Sequence, residues 1–203
     1  MVNYGKQLWV GSKEKFPLEE SKFTKVSNGG NIGIKGANGL WTSSFIDEKY
    51  GSAWVQWCLG NDFHVPMDNV YTGYILTPKK KLKLYMVDSL ADMHNLFDKY
   101  GYQQLPTLQQ EAIDFELMSK DYDGLHLTSH GEIITRHGNM FSIGVKEKDL
   151  KPKWKAKTMR NLYGYDCEST LHFHWNFESM EEVEINARSI TSDKIEALLG
   201  NKE

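Results

Sequence analysis

KLKLYMVDSLADMHNLFDKYG occupies residues 81–101 and holds both kinds of element from which the fold is built. Leu82, Leu84 and Met86 alternate with Lys81, Lys83 and Tyr85, the period of a half-buried strand over 81–88. At Ser89 the period changes. Leu90, Met93, Phe97 and Tyr100 recur at helical spacing, so the sequence predicts a helix over 89–100. Ser89 suits its N-cap, Asp92 follows three positions later, and Gly101 stands where a left-handed C-terminal glycine belongs.

Strands are expected on the N-terminal side at 7–11, 40–45 and 71–77, with a helix over 47–58 that turns Tyr50, Trp54, Trp57 and Cys58 to one face. On the C-terminal side, Pro106 and a Thr107/Gln110 box open a helix over 108–119. Strands at 124–128 and 132–136 then flank Ser129-His130-Gly131, read as a hairpin turn. A strand at 170–177 and a short helix at 192–199 complete the chain. Strands and helices intersperse without a βαβα alternation, and no GxGxxG follows a strand. The fold class is therefore α+β, one domain over residues 1–203, rather than a doubly wound parallel sheet.

The bulk composition narrows the function. The chain has 203 residues, 40% hydrophobic and 25% charged, which excludes disorder. A formal net charge of -3 supplies no overall field toward nucleic acid or an anionic membrane. Cys58 and Cys167 lie far apart with no CxxC spacing, so two reduced, unpaired thiols are expected. Residues 1–16 are polar and mixed, with neither signal peptide nor spanning helix; the cytoplasm is the expected compartment and no membrane partner is expected.

Two segments can carry chemistry. The first is Trp41-Thr42-Ser43-Ser44-Phe45, which follows the loop SNGGNIGIKGANG at 27–39 with its five glycines. Three consecutive hydroxyls can hold a ribose or orient a carboxylate, because each donates and accepts; they can equally satisfy a local turn. The second is Asp166-Cys167-Glu168, two acids one residue apart before the aromatic run Thr170–Trp175. On a strand both would face one way, where they could stabilise a cationic sugar, with Ser43 or Ser44 orienting Glu168; exposed acids at a strand start are the plain alternative.

The order and content of these segments resemble the ADP-ribosyltransferase superfamily, including uncharacterised, often phage-borne members. LWVGS at 8–12 looks like its first strand, WTSSF at 41–45 like its serine motif, and Asp166-Cys167-Glu168 like its (E/Q)-x-E motif. The resemblance implies a mixed, largely antiparallel split sheet with flanking helices. It implies a transferase that takes NAD as substrate, cleaves the nicotinamide–ribose bond and passes ADP-ribose to a macromolecular acceptor. Glu168 and Asp166 would then be catalytic, and Trp41, Thr42, Ser43 and Ser44 would contact NAD. The family places Arg or His in the first strand where this chain has Val10, so further contacts would fall to Lys35 or Tyr163. A catalytically inactive member that binds a nucleotide or a protein is the alternative that Val10 favours.

Two further patterns point elsewhere. His172 and His174, with His126 on another strand, would form a zinc site only if a third ligand converged, and no spacing fixes that; no metal is assigned. Lys153, Trp154, Lys155 and Lys157, with Arg160 beyond, interleave bases and an aromatic, the chemistry of a single-strand nucleic-acid contact.

Overall fold

A computed structural model of the chain describes residues 4–11, 17–29, 33–67, 70–103, 110–136 and 160–188. Nine strands and four helices are defined among them: β1 (Gln7–Val10), β2 (Leu40–Ser44), α1 (Ala53–Gly60), β3 (Val70–Pro78), β4 (Leu84–Val87), α2 (Leu90–Tyr100), β5 (Gly101–Tyr102), β6 (Ala112–Ile113), α3 (Phe115–Met118), β7 (Gly124–Leu127), α4 (Ser129–Thr135), β8 (Ser169–His172) and β9 (Phe177–Asn186). Seven strands form one open sheet in the order β4-β7-β8-β2-β1-β3-β9, and β5 pairs with β6 apart from it. Only β4 and β7 run parallel; the other neighbours are antiparallel. The fold is thus α+β, as the interspersed elements require.

The halves of the sheet meet at a narrow seam. β1 and β2 share the pairs Gln7↔Ser44 and Leu8↔Ser43, whereas β3 and β9 pair along almost their whole length. One sheet face is covered by two separate apolar clusters. α2 packs Leu90, Met93, Leu96 and Phe97 near Leu125, Leu127 and Leu171 on one half. On the other half, Val55 and Cys58 of α1 join Leu8, Tyr71, Ile75 and Ile185. Each such apolar side chain contributes roughly 1.5–3 kcal/mol on burial. Between these two clusters, over the seam, lies a cleft.

α2 forms as its caps predict. Ser89 Oγ accepts from the Asp92 amide at 3.1 Å, while the Asp92 carboxylate receives the Asp88 amide at 3.2 Å. Gly101, however, has φ -76 and runs straight into β5 rather than closing the helix in left-handed form. Gly39 does need its missing Cβ. Its φ is +69, and a Cβ would stand 2.7 Å from the His172 carbonyl, so the turn into β2 can press against β8.

Several expected elements differ. The helix expected over 47–58 starts at Ala53, because Asp47 closes a turn on the amides of Lys49 and Tyr50 at 2.9 and 2.8 Å. Gly51 at φ +73 then resets the chain for a Ser52 cap. The helix over 108–119 is instead β6 and the four-residue α3, capped by Asp114, whose carboxylate accepts from Leu117 N at 2.9 Å. Thr107, its expected cap, lies outside the described residues. Ser129-His130-Gly131 opens α4, not a hairpin: Thr128 Oγ1 takes the Gly131 amide at 2.9 Å as an N-cap, and 132–135 continue the helix. The strand over 170–177 ends at His172, and a separate β9 begins at Phe177. The acidic run Glu178–Glu184 is the exposed edge of the sheet, where charge discourages pairing with a second chain. The helix expected at 192–199 falls outside the described residues. No helix among those described is long and apolar enough to cross a membrane.

Candidate active site

The register of the central strands brings the two chemical motifs together. β2 pairs with β8 through Leu40↔His172, Trp41↔Leu171 and Thr42↔Thr170, which sets Ser43 and Ser44 beside Glu168. Ser43 Oγ donates to Glu168 Oε2 at 2.7 Å, the Ser44 amide donates to the same oxygen at 2.9 Å, and Ser44 Oγ donates to Oε1 at 2.9 Å. Ser43 is itself held by the Trp54 amide at 3.3 Å, from the first turn of α1. Glu168 is 4% exposed, so this carboxylate has exchanged water for three protein donors.

The carboxylate also belongs to a ring of polar side chains on one sheet face. Gln7 of β1 donates from Nε2 to Ser44 Oγ at 3.3 Å and accepts from Thr42 Oγ1 at 3.0 Å. Thr42 has spent its proton on Gln7, so the 3.0 Å contact with His172 is an Nε2–H donated to the threonine oxygen. Tyr4 donates to Thr170 Oγ1 at 2.5 Å and lies 3.5 Å from His172 Nε2. His126 Nδ1 sits 2.7 Å from Thr170 Oγ1 and 3.7 Å from Glu168 Oε1, which closes the ring. Burial, with His126 nearby, depresses His172 to a pKa of about 3, so its imidazole is neutral. The Tyr4 hydroxyl is pushed well above its ordinary value, chiefly by burial.

The cleft lies on the other side of the seam. Lys35, Trp41, Ser43, Trp54, Tyr71, Asp166 and Cys167 line it among others. Asp166 and Glu168 do not share a strand face as expected, because β8 begins only at Ser169. Asp166 stands in the cleft 3.7 Å from Lys35 Nζ and 3.6 Å from Arg136, while Glu168 lies beneath Ser43. Lys35 Nζ is 5.8 Å from the Trp41 ring centroid and 6.0 Å from that of Tyr165. Tyr163 is on an exposed turn, 56% accessible, and is not among the residues that border the cleft. Val10 does border it, whereas Gln7 is the first-strand side chain that meets the serine–glutamate pair.

Both cysteines are free thiols. Burial first, then Asp166, pushes Cys58 up to about 12. Cys167 is raised well above its usual value by burial, with Glu168 adding to it, so neither is an activated nucleophile. His126 and His172 meet in the polar ring, but His174 does not join them. His174 lies beyond β8 with Nε2 3.0 Å from the Ser119 carbonyl, and no metal-binding group of three acids, cysteines or histidines occurs among the described residues. Lys153, Trp154, Lys155 and Lys157 lie outside those residues. Arg160 is in a different setting, paired with Asp98 at 2.7 Å and Glu111 at 2.9 Å.

Sequence reasoning missed Tyr4, Gln7 and Thr170 as members of this site. The available signal was alternation: Thr42 and Ser44, then Glu168, Thr170 and His172, repeat polar groups at every second residue. Without the pairing of strands, nothing in the sequence aligns these positions on one face. Compared with known proteins, the chain matches no protein-family model, no curated protein and no solved structure.

Proposed function

We propose that this chain is an ADP-ribosyltransferase-like protein that binds NAD over the sheet seam and transfers ADP-ribose to a macromolecular acceptor. The observation that carries the reading is the fixed carboxylate: Glu168 is held by Ser43 and Ser44 from the neighbouring strand, and Ser43 itself borders the cleft together with Trp41, Lys35 and Asp166. The pinched sheet, with β1, β2 and β8 adjacent at its centre, agrees with the split sheet of that superfamily. In the reaction, the bond between ribose C1 and the nicotinamide nitrogen breaks and its electron pair leaves with neutral nicotinamide. The acceptor nucleophile then bonds to C1 and loses a proton. Positive charge develops on the ribose, and a preorganised carboxylate stabilises it more in the transition state than in the ground state. Asp166, between Lys35 and Arg136, is the acid placed to meet the acceptor or the remaining ribose hydroxyls.

A second reading is an inactive member of the same fold that binds a nucleotide or a protein. The burial of Glu168 and the neutral Gln7 and Val10 on the first strand favour it. Calorimetry with NAD and an assay for released nicotinamide separate the two. Binding with turnover supports the enzyme, binding without turnover supports the inactive member, and neither removes NAD from the account. A salt-sensitive interaction with a single-stranded oligonucleotide, lost when Lys153, Lys155 and Lys157 become Gln, would instead favour nucleic acid as the ligand.

A further inference from the structure

We propose that the Tyr71 hydroxyl is a ligand-binding group: it donates to a planar heteroaromatic ring that enters the cleft beside Trp54 and carries a carbonyl or ring-nitrogen acceptor. Tyr71 on β3 is 5% exposed, and its hydroxyl has no hydrogen-bond partner among the described residues. Buried tyrosine hydroxyls ordinarily find a partner, because losing water without compensation is costly. Other buried polar atoms lack one too, on Gln110, Ser129, His172 and Asn176, but none of these residues borders the cleft; Tyr71 does.

The surroundings define what would fit. Trp54 also borders the cleft and packs against the apolar cluster that holds Tyr71, and its ring is fixed by stacking on Trp57 at 5.2 Å and 12°. Leu8, Val10 and Cys58 add apolar wall. A rigid aromatic platform, an apolar wall and one unpartnered donor select a flat ring with one acceptor rather than a sugar or a phosphate. Burial and the neighbouring Cys58 push Tyr71 up to about 12, so at neutral pH the hydroxyl keeps the proton it donates.

This inference rests on the NAD reading for its ligand, since NAD carries two such rings, the nicotinamide amide and the adenine. Tyr71→Phe keeps the ring and removes only the hydroxyl. Calorimetry would use NAD, nicotinamide and adenosine as separate probes on wild type and variant, with melting temperatures of both unliganded proteins. The variant should melt no lower than wild type, because no internal bond is lost. It should bind NAD, and whichever single ring fills the subsite, about tenfold more weakly, equivalent to about 1.4 kcal/mol. If wild type binds adenosine or nicotinamide but not NAD, and the variant loses that binding, the subsite stands and the NAD reading falls. Equal affinities for wild type and variant overturn the subsite and leave the NAD reading in place. A lower melting temperature for the variant, or no binding of any probe to wild type, also overturns the inference.

Discussion

Glu168 and His172 each lie two residues from Thr170, one on either side, and both depend on the ring of polar partners that replaces water around them. A carboxylate in this setting is costly to strip of donors. Ser43→Ala and Ser44→Ala should each lower unfolding free energy by about 1.5–3 kcal/mol, the worth of a hydrogen bond to a charged group, as read by urea denaturation. A loss below a few tenths would mean the serines do not hold the acid. His172 makes a separate prediction. Its folded pKa of about 3 lies below the 6.5 of an unfolded histidine, so the unfolded chain binds the extra proton between those values. Stability contributed by neutral His172 is therefore complete above pH 6.5 and drains away as pH falls toward 3, by up to about 1.4 kcal/mol per pH unit. The titratable groups beside it are Tyr4 and His126, with Glu168 next to His126. Replacing His172 by Gln should flatten that acid-side slope in denaturation curves taken from pH 7 to 4; an unchanged slope would assign it to other groups.

At the scale of elements, local propensity and tertiary contact disagree at Gly131 in the first turn of α4. Helix propensity favours Ala over Gly by roughly 1 kcal/mol. An added Cβ, however, would stand 2.1 Å from the Val87 carbonyl oxygen, and backbone cannot step aside cheaply. The clash should win, with Gly131→Ala destabilising by about 1–3 kcal/mol in thermal melts; a stabilised variant would contradict the packing of α4 on β4. Ser89→Ala, by contrast, removes only a cap and should cost about 1 kcal/mol. The contrast shows what was legible in the sequence. α2 carries its period, its cap and its apolar face within a dozen residues, so all three are legible in the sequence. α4 reads in the sequence as a turn followed by a strand, because its helix rests on the Thr128 cap and on contact with β4, which no local pattern displays. β9 was hidden for a related reason: its acidic residues reflect an edge position, not a loop. The serine–glutamate pair could be anticipated from chemistry, since hydroxyls and a carboxylate satisfy each other. Gln7 and Tyr4 could not, because their roles depend on which strands become neighbours.

For the molecule as a whole, the sheet separates two environments at one seam: a buried polar ring on one face and an aromatic cleft on the other. Both cysteines lie along that seam, unpaired and with raised pKa values. Folded protein should therefore react slowly with a thiol reagent at neutral pH and take up two equivalents rapidly only after denaturation, without prior reduction. An intramolecular disulfide found by mass spectrometry would contradict the geometry around Asp166 and Glu168. The central claim is that Glu168 is a working carboxylate rather than a structural one, and its most direct test is release of nicotinamide from NAD. Wild type should release it, with or without transfer to an added acceptor. Glu168→Gln, which keeps shape and loses charge, should slow release by about 10²–10⁴-fold while still binding NAD and melting cooperatively. Release by Glu168→Gln at the wild-type rate, or none by wild type, would contradict the claim.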